Sequence, residues 1–168
     1  MAEAILEDEV TGLFEQFRSP LFRYLRSFGL TAQDAEEIIQ EVFLALFQHL
    51  RHGKSRANLR GWIFRVGHNQ ALKLRARESR RAVPADDDFV ERQPDLAANP
   101  EEQAVSNQRQ RRLTAVVDAL PARDRACLAL RAEGFRYREI AEIVGMSLGA
   151  VSMSLERSLA KLCCVAEK

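Results

Sequence analysis

The chain has 168 residues, enough for one medium domain or two small ones, with 46% hydrophobic and 29% charged residues and a formal net charge of +1. That mix excludes a polycation and a disordered chain, and no run approaches the roughly 18 apolar residues of a membrane span. The first ten residues lack the basic n-region and apolar core of a signal peptide, so a cytoplasmic protein without membrane insertion is expected.

Charge is segregated along the chain. Residues 1–50 carry nine acids and three bases, 51–81 ten bases and one acid, 82–108 seven acids and one base, and 109–168 eleven bases and seven acids. Such alternation predicts two basic surfaces for polyanions and acidic parts directed at something else.

In chain order, Leu13, Phe14, Phe17, Leu21, Phe22 and Leu25 have helical spacing, although Pro20 should break or bend that helix. After Thr31 the pattern is clearest: Ala35, Ile38, Ile39, Val42, Phe43, Leu46, Phe47 and Leu50 form an apolar stripe over four turns. Glu36, Glu37, Gln40 and Glu41 take the other side. Residues 51–58 read as a loop. A basic helix is predicted from about Leu59 to Arg81, with Leu59, Trp62, Ile63 and Val66 inward.

The stretch 82–98 has two prolines, three consecutive aspartates and little periodicity, and reads as an acidic linker, which would leave the flanking parts free to move. Asn99-Pro100-Glu101-Glu102 places a cap, a proline at the first helical position and an acid at the third, so a helix should start near residue 100. Pro121 should start another helix, ended by Gly134. The expected architecture is all-α: two small helical domains, 5–81 and 100–166, joined by a flexible linker over 82–99.

Residues 136–162 have the offsets of a helix-turn-helix. Ile140, Ala141 and Val144 face inward on a short helix, and Gly145 can take the left-handed turn conformation. Ser147 can cap a second helix with Val151, Leu155, Leu159 and Leu162 inward. In this motif the second helix enters the major groove.

Residues 119–162 resemble the promoter-binding domain of sigma-70 family factors. The matching runs are Ala119-Leu120-Pro121-Ala122-Arg123, Gly134-Phe135-Arg136-Tyr137-Arg138-Glu139-Ile140-Ala141 and Met146-Ser147-Leu148-Gly149-Ala150-Val151. The resemblance implies −35 DNA contacts from Arg136, Tyr137, Arg138, Ser147, Leu148, Gly149, Ser152, Met153, Glu156 and Arg157. The chain departs from the family at Ser152, Ser154, Glu156 and Leu159, where lysine, arginine, histidine and arginine are common. Each missing phosphate contact should weaken binding and flatten its salt dependence.

Asp34-Ala35-Glu36-Glu37-Ile38-Ile39-Gln40-Glu41-Val42-Phe43 is similar to the family's polymerase-binding helix. The resemblance assigns Asp34, Glu36, Glu37, Gln40 and Glu41 to the clamp helices of the largest polymerase subunit, and implies a second contact on the flap of the second-largest subunit. Trp62-Ile63-Phe64-Arg65-Val66-Gly67-His68-Asn69 looks like the segment leading into the helix that opens the −10 element. There the expected DNA-binding residues are Arg60, Trp62, Arg65, His68, Asn69, Lys73, Arg75, Arg77 and Arg80. A basic groove for a single strand and a group able to read a flipped base are what opening requires, and Asn69 has both a donor and an acceptor. Trp62 is readable either as core or as a stacking platform. Lys73 stands where the family often has an acid.

The small size points to the extracytoplasmic-function subfamily. By that resemblance the linker acids Asp86, Asp87, Asp88, Glu91 and Asp95 would occupy RNA's place in the polymerase, and an anti-sigma factor is an expected partner. No phosphate loop, metal spacing or nucleophile motif stands out, so no enzyme, metal or cofactor is expected. Cys127 reads as core, and Cys163 and Cys164 have no zinc or disulfide framework. The alternatives are a sigma-like decoy that sequesters an anti-sigma factor, and a conventional helix-turn-helix regulator.

Overall fold

The computed structural model describes residues 1–81 and 100–166, with side chains in the second span from residue 104 onward. The linker expectations, the acids at 86–95 and the cap at Asn99 lie outside the described residues. Seven helices are described: α1 (Ala2–Ser27), α2 (Ala32–Arg51), α3 (Leu59–Arg81), α4 (Pro100–Asp118), α5 (Ala122–Ala132), α6 (Tyr137–Val144) and α7 (Leu148–Ala166).

Of the break or bend expected at Pro20, the break does not occur: the proline lies inside one helix of 26 residues. A proline costs one backbone hydrogen bond and crowds the preceding turn. Burial offsets that cost, because Leu21, Tyr24 and Leu25 on the same turns are almost fully enclosed. Each such side chain stabilises the fold by about 1.5–3 kcal/mol.

α2 starts as its sequence requires. The Thr31 hydroxyl accepts from Asp34 N at 3.1 Å and donates to Asp34 Oδ2 at 2.8 Å. Its stripe is the buried one: Ala35, Ile38, Ile39, Val42, Phe43, Leu46 and Leu50. α1, α2 and α3 pack on one another.

α3 packs the expected residues on the core, but over a wider arc than they span. Gly61, Ile63, Phe64, Gly67, His68 and Ala71 are buried, while Leu59, Trp62 and Val66 are half-buried. The arc is wider because α3 has neighbours on two sides, α1 and α2 on one and α6 on the other. Gly67 permits the close approach to α1: a Cβ there would sit 2.9 Å from Leu21 Cδ1.

Pro100 is the first residue of α4, as the start signal requires. In the second half, α4 packs on α7, and α5, α6 and α7 pack on one another. Gly145 closes α6 at φ 67°. Ser147 Oγ accepts from Ala150 N at 3.1 Å and so starts α7. The turn expected of a helix-turn-helix is therefore present. On α7, Val151 and Leu155 are buried as read, but Leu159 is exposed. Ser154 and Ser158 take the inner positions instead. Ser154 Oγ donates to Asp124 Oδ1 at 2.6 Å and Ser158 Oγ to Ser154 O at 2.9 Å, which satisfies both buried hydroxyls.

The two halves are in contact: α1 packs on α5, and α3 on α6. Their buried apolar residues form one continuous cluster.

Candidate nucleic-acid and protein interfaces

In the middle of α2, Glu37, Gln40, Glu41 and Leu44 are all exposed. Gln40 follows Glu37 and Leu44 follows Glu41 at three residues, and Glu41 follows Glu37 and Leu44 follows Gln40 at four, which puts them on one face. The other two acids of this helix serve local structure. Asp34 completes the cap, and Glu36 forms an ion pair with Arg18 of α1. Gln33 Nε2 donates to Glu37 Oε1 at 3.3 Å. What remains is an acidic and amide surface with one exposed leucine at its C-terminal end. Leu44 carries no signal in the charge pattern, and only its exposure adds it to this face.

On α3, Arg65, Asn69, Lys73, Arg77 and Arg81 follow one another at intervals of four and are all exposed. They form a slowly winding basic stripe with Asn69 inside it. Arg75 and Arg80 are exposed beside it, and Arg75 Nη1 donates to Phe28 O at 2.5 Å. Trp62 is half-buried, with its ring 4.8 Å from that of His49. With Arg65 it borders a cleft of about 200 Å³ that also holds Glu139 and Glu142.

His68 does not join this surface, which corrects its place among the DNA-contacting residues. It is 5% exposed, its Nδ1 lies 2.7 Å from the Tyr24 hydroxyl, and its ring meets Phe28 at 5.4 Å. Burial lowers its pKa from 6.5 to about 4, so the ring is neutral at physiological pH. Burial likewise raises the pKa of the Tyr24 phenol, with a smaller contribution from Cys127. His68 is thus a neutral core residue joined to Tyr24.

In the helix-turn-helix, Arg136, Tyr137, Arg138, Leu148, Gly149 and Ser152 border an open groove of about 680 Å³ between the starts of α6 and α7. Arg136 N donates to Glu139 Oε2 at 2.7 Å, which fixes the first turn of α6. Tyr137, Leu148 and Met153 are exposed apolar residues on this side. Glu156 is exposed, and Arg157 Nη2 reaches Asp124 Oδ1 at 3.2 Å. Ser147 is exposed at the cap. The second helix therefore offers small and apolar groups, and its arginine is attached to an acid of α5.

Cys127 is fully buried in this half, as read, with its thiol 3.9 Å from Met146 Sδ. Burial raises its pKa. Cys163 and Cys164 are free and exposed. Among the described residues no group of His, Cys, Asp and Glu could hold a metal ion, and no helix is long and apolar enough to cross a membrane.

Comparison with known proteins matches residues 13–81 to the model of Sigma-70 region 2 and residues 110–162 to that of Sigma-70, region 4. The chain is 28% identical to the ECF RNA polymerase sigma factor SigE of Mycolicibacterium smegmatis over 89% of its own length and 58% of that protein's. It is 29% identical to the ECF RNA polymerase sigma factor SigD of Mycobacterium tuberculosis, over 96% of this chain and 80% of the relative. Among solved structures, CnrH in complex with the cytosolic domain of CnrY superposes with a TM-score of 0.63 at 22% identity, covering 99% of this chain and 98% of that one. The sigma factor RpoE in complex with the anti-sigma factor NepR from Bartonella quintana gives 0.67 at 19% identity, covering 93% and 97%. At these identities the structural likeness speaks for the fold.

Proposed function

The chain belongs to the extracytoplasmic-function branch of the sigma-70 family, the alternative sigma factors of transcription initiation, and from that premise we propose how its surfaces divide the work. The Glu37, Gln40, Glu41 and Leu44 face of α2 docks on a basic helical surface of core RNA polymerase, the clamp helices of its largest subunit. The α3 stripe from Arg65 to Arg81 follows the single strand of the −10 element, and Asn69 reads an unstacked base there. The helix-turn-helix contacts the −35 element through Arg136, Arg138 and the start of α7, and the second half also meets the flap of the second-largest subunit. Sigma factors are not enzymes; the chemistry of RNA synthesis is the polymerase's.

The observation that carries this reading is the opposition of charge on adjacent helices of one bundle. The free face of α2 is acidic and that of α3 is basic, and each is continuous and exposed. A plain solvated bundle has no need of such segregation, and a lone helix-turn-helix regulator has no use for the α2 face.

A decoy reading draws on one feature, the shortage of free cations on α7. Against it stands the intact α3 stripe, which a protein that only sequesters an anti-sigma factor does not need. An anti-sigma factor fits the proposed function as a regulator that covers both halves. Capture of core polymerase by the purified chain, lost on Glu37→Lys with Glu41→Lys, tests the docking assignment. Retained capture by the double variant would overturn it.

A further inference from the structure

Along the ridge of α7 that leaves the open groove, the charged side chain is a carboxylate. Leu148, Ser152 and Glu156 follow one another at intervals of four and stand in one row, with Gly149 and Met153 beside it. Leu148, Gly149 and Ser152 border the groove together with Arg136 and Arg138. The row therefore runs from the groove to Glu156, one turn beyond Ser152, and Glu156 is exposed. Its neighbours on this face are a serine and a thioether. Arg157 is paired with Asp124, and Lys161 lies further along the helix. Among the described residues no hydrogen bond or ion pair occupies the Glu156 carboxylate.

A carboxylate only accepts hydrogen bonds. In a DNA groove it loses water, and that loss is costly unless a donor replaces it. The bases differ in what they offer in the major groove. Guanine shows two acceptors, N7 and O6, which repel a carboxylate. Thymine shows an acceptor and a methyl group. Adenine sets its N6 donor beside the N7 acceptor. Cytosine presents its N4 amine with no acceptor of its own on that edge. We infer that Glu156 is a specificity-determining residue that accepts from the N4 amine of a cytosine in the −35 element. The inference deepens the proposed contact of the helix-turn-helix with that element and rests on it. Phosphate anchoring then falls to Arg136 and Arg138 at the start of α6, both exposed, so anchoring and base selection sit on different helices.

Glu156→Gln tests this with almost no change of shape and at an exposed position, so the fold is not at risk. Holoenzyme assembled from the host's core polymerase and the full-length chain selects duplexes from a library. The library is built on a host promoter fragment that this holoenzyme transcribes, randomised across the −35 region. The native chain should fix cytosine at one upstream position. Glu156→Gln should lose that preference and move it toward adenine, whose N6 and N7 suit an amide, while the other positions keep their bases. On the duplex selected by the native chain the variant should bind about tenfold more weakly. An unaltered cytosine preference in the variant would overturn the inference. Tighter binding of the variant to every sequence alike would also overturn it, since that is the result of a carboxylate lying against phosphates. Failure of the underlying reading looks different: native holoenzyme would then show no preference at any upstream position, which removes the −35 contact and the inference with it.

Discussion

Arg157 of α7 reaches across to Asp124 of α5, and the same carboxylate oxygen accepts from Ser154, at 3.2 and 2.6 Å. The acid is 5% exposed, whereas the arginine side chain is 59% exposed. The two partners should therefore differ in what their loss costs. Asp124→Ala leaves the enclosed Ser154 hydroxyl without its acceptor and should destabilise the protein by about 1–3 kcal/mol. Arg157→Ala removes a guanidinium that is mostly in water and leaves the acid its bond from Ser154, so it should cost less, about 1 kcal/mol. Denaturant midpoints of the two variants check the order.

The neutral His68 makes stability depend on pH. The unfolded ring takes up a proton near its ordinary pKa of 6.5, and the folded ring only near 4. Between those values the unfolded state binds more protons, so stability falls as pH falls. The contribution is present above pH 6.5 and should shrink by about 2–3 kcal/mol by pH 4.5. Urea unfolding at the two pH values should show this loss in the native chain and a smaller one in His68→Phe.

Reversing Glu37 and Glu41 to lysine should abolish polymerase binding while shifting stability by no more than about 0.5 kcal/mol, since both side chains are exposed. Leu44→Ala should weaken binding without abolishing it, because an exposed leucine on an otherwise polar face has apolar area to bury on a partner. Titration of labelled core polymerase with each variant measures both effects.

Much of this was readable in the residues. The four-turn stripe of α2 left Glu37, Gln40 and Glu41 on one outer face, and Gly145 and Ser147 stood at the offsets a helix-turn-helix needs. The failures share a physical cause, which is tertiary packing that local pattern cannot carry. Pro20 is tolerated because Leu21, Tyr24 and Leu25 bury around it. Leu159 points outward because two serines find hydrogen-bond partners inside. His68 looks like part of the basic segment until Tyr24, 44 positions earlier, supplies its partner. The Phe64–Phe135 contact joins residues 71 positions apart across a linker whose composition suggested independence.

Asn69→Ala should leave polymerase binding intact and reduce open-complex formation by about tenfold or more, the scale of one lost bidentate base contact. Permanganate footprinting of the −10 region in reconstituted holoenzyme reads this step separately from binding.

Whether this chain directs initiation is read by transcription in vitro with the host's core polymerase on host genomic fragments, with and without the chain. New, discrete start sites should appear only with the chain and vanish with the Glu37→Lys, Glu41→Lys variant. Unchanged transcripts, with no binding of the chain to core polymerase, would contradict that role.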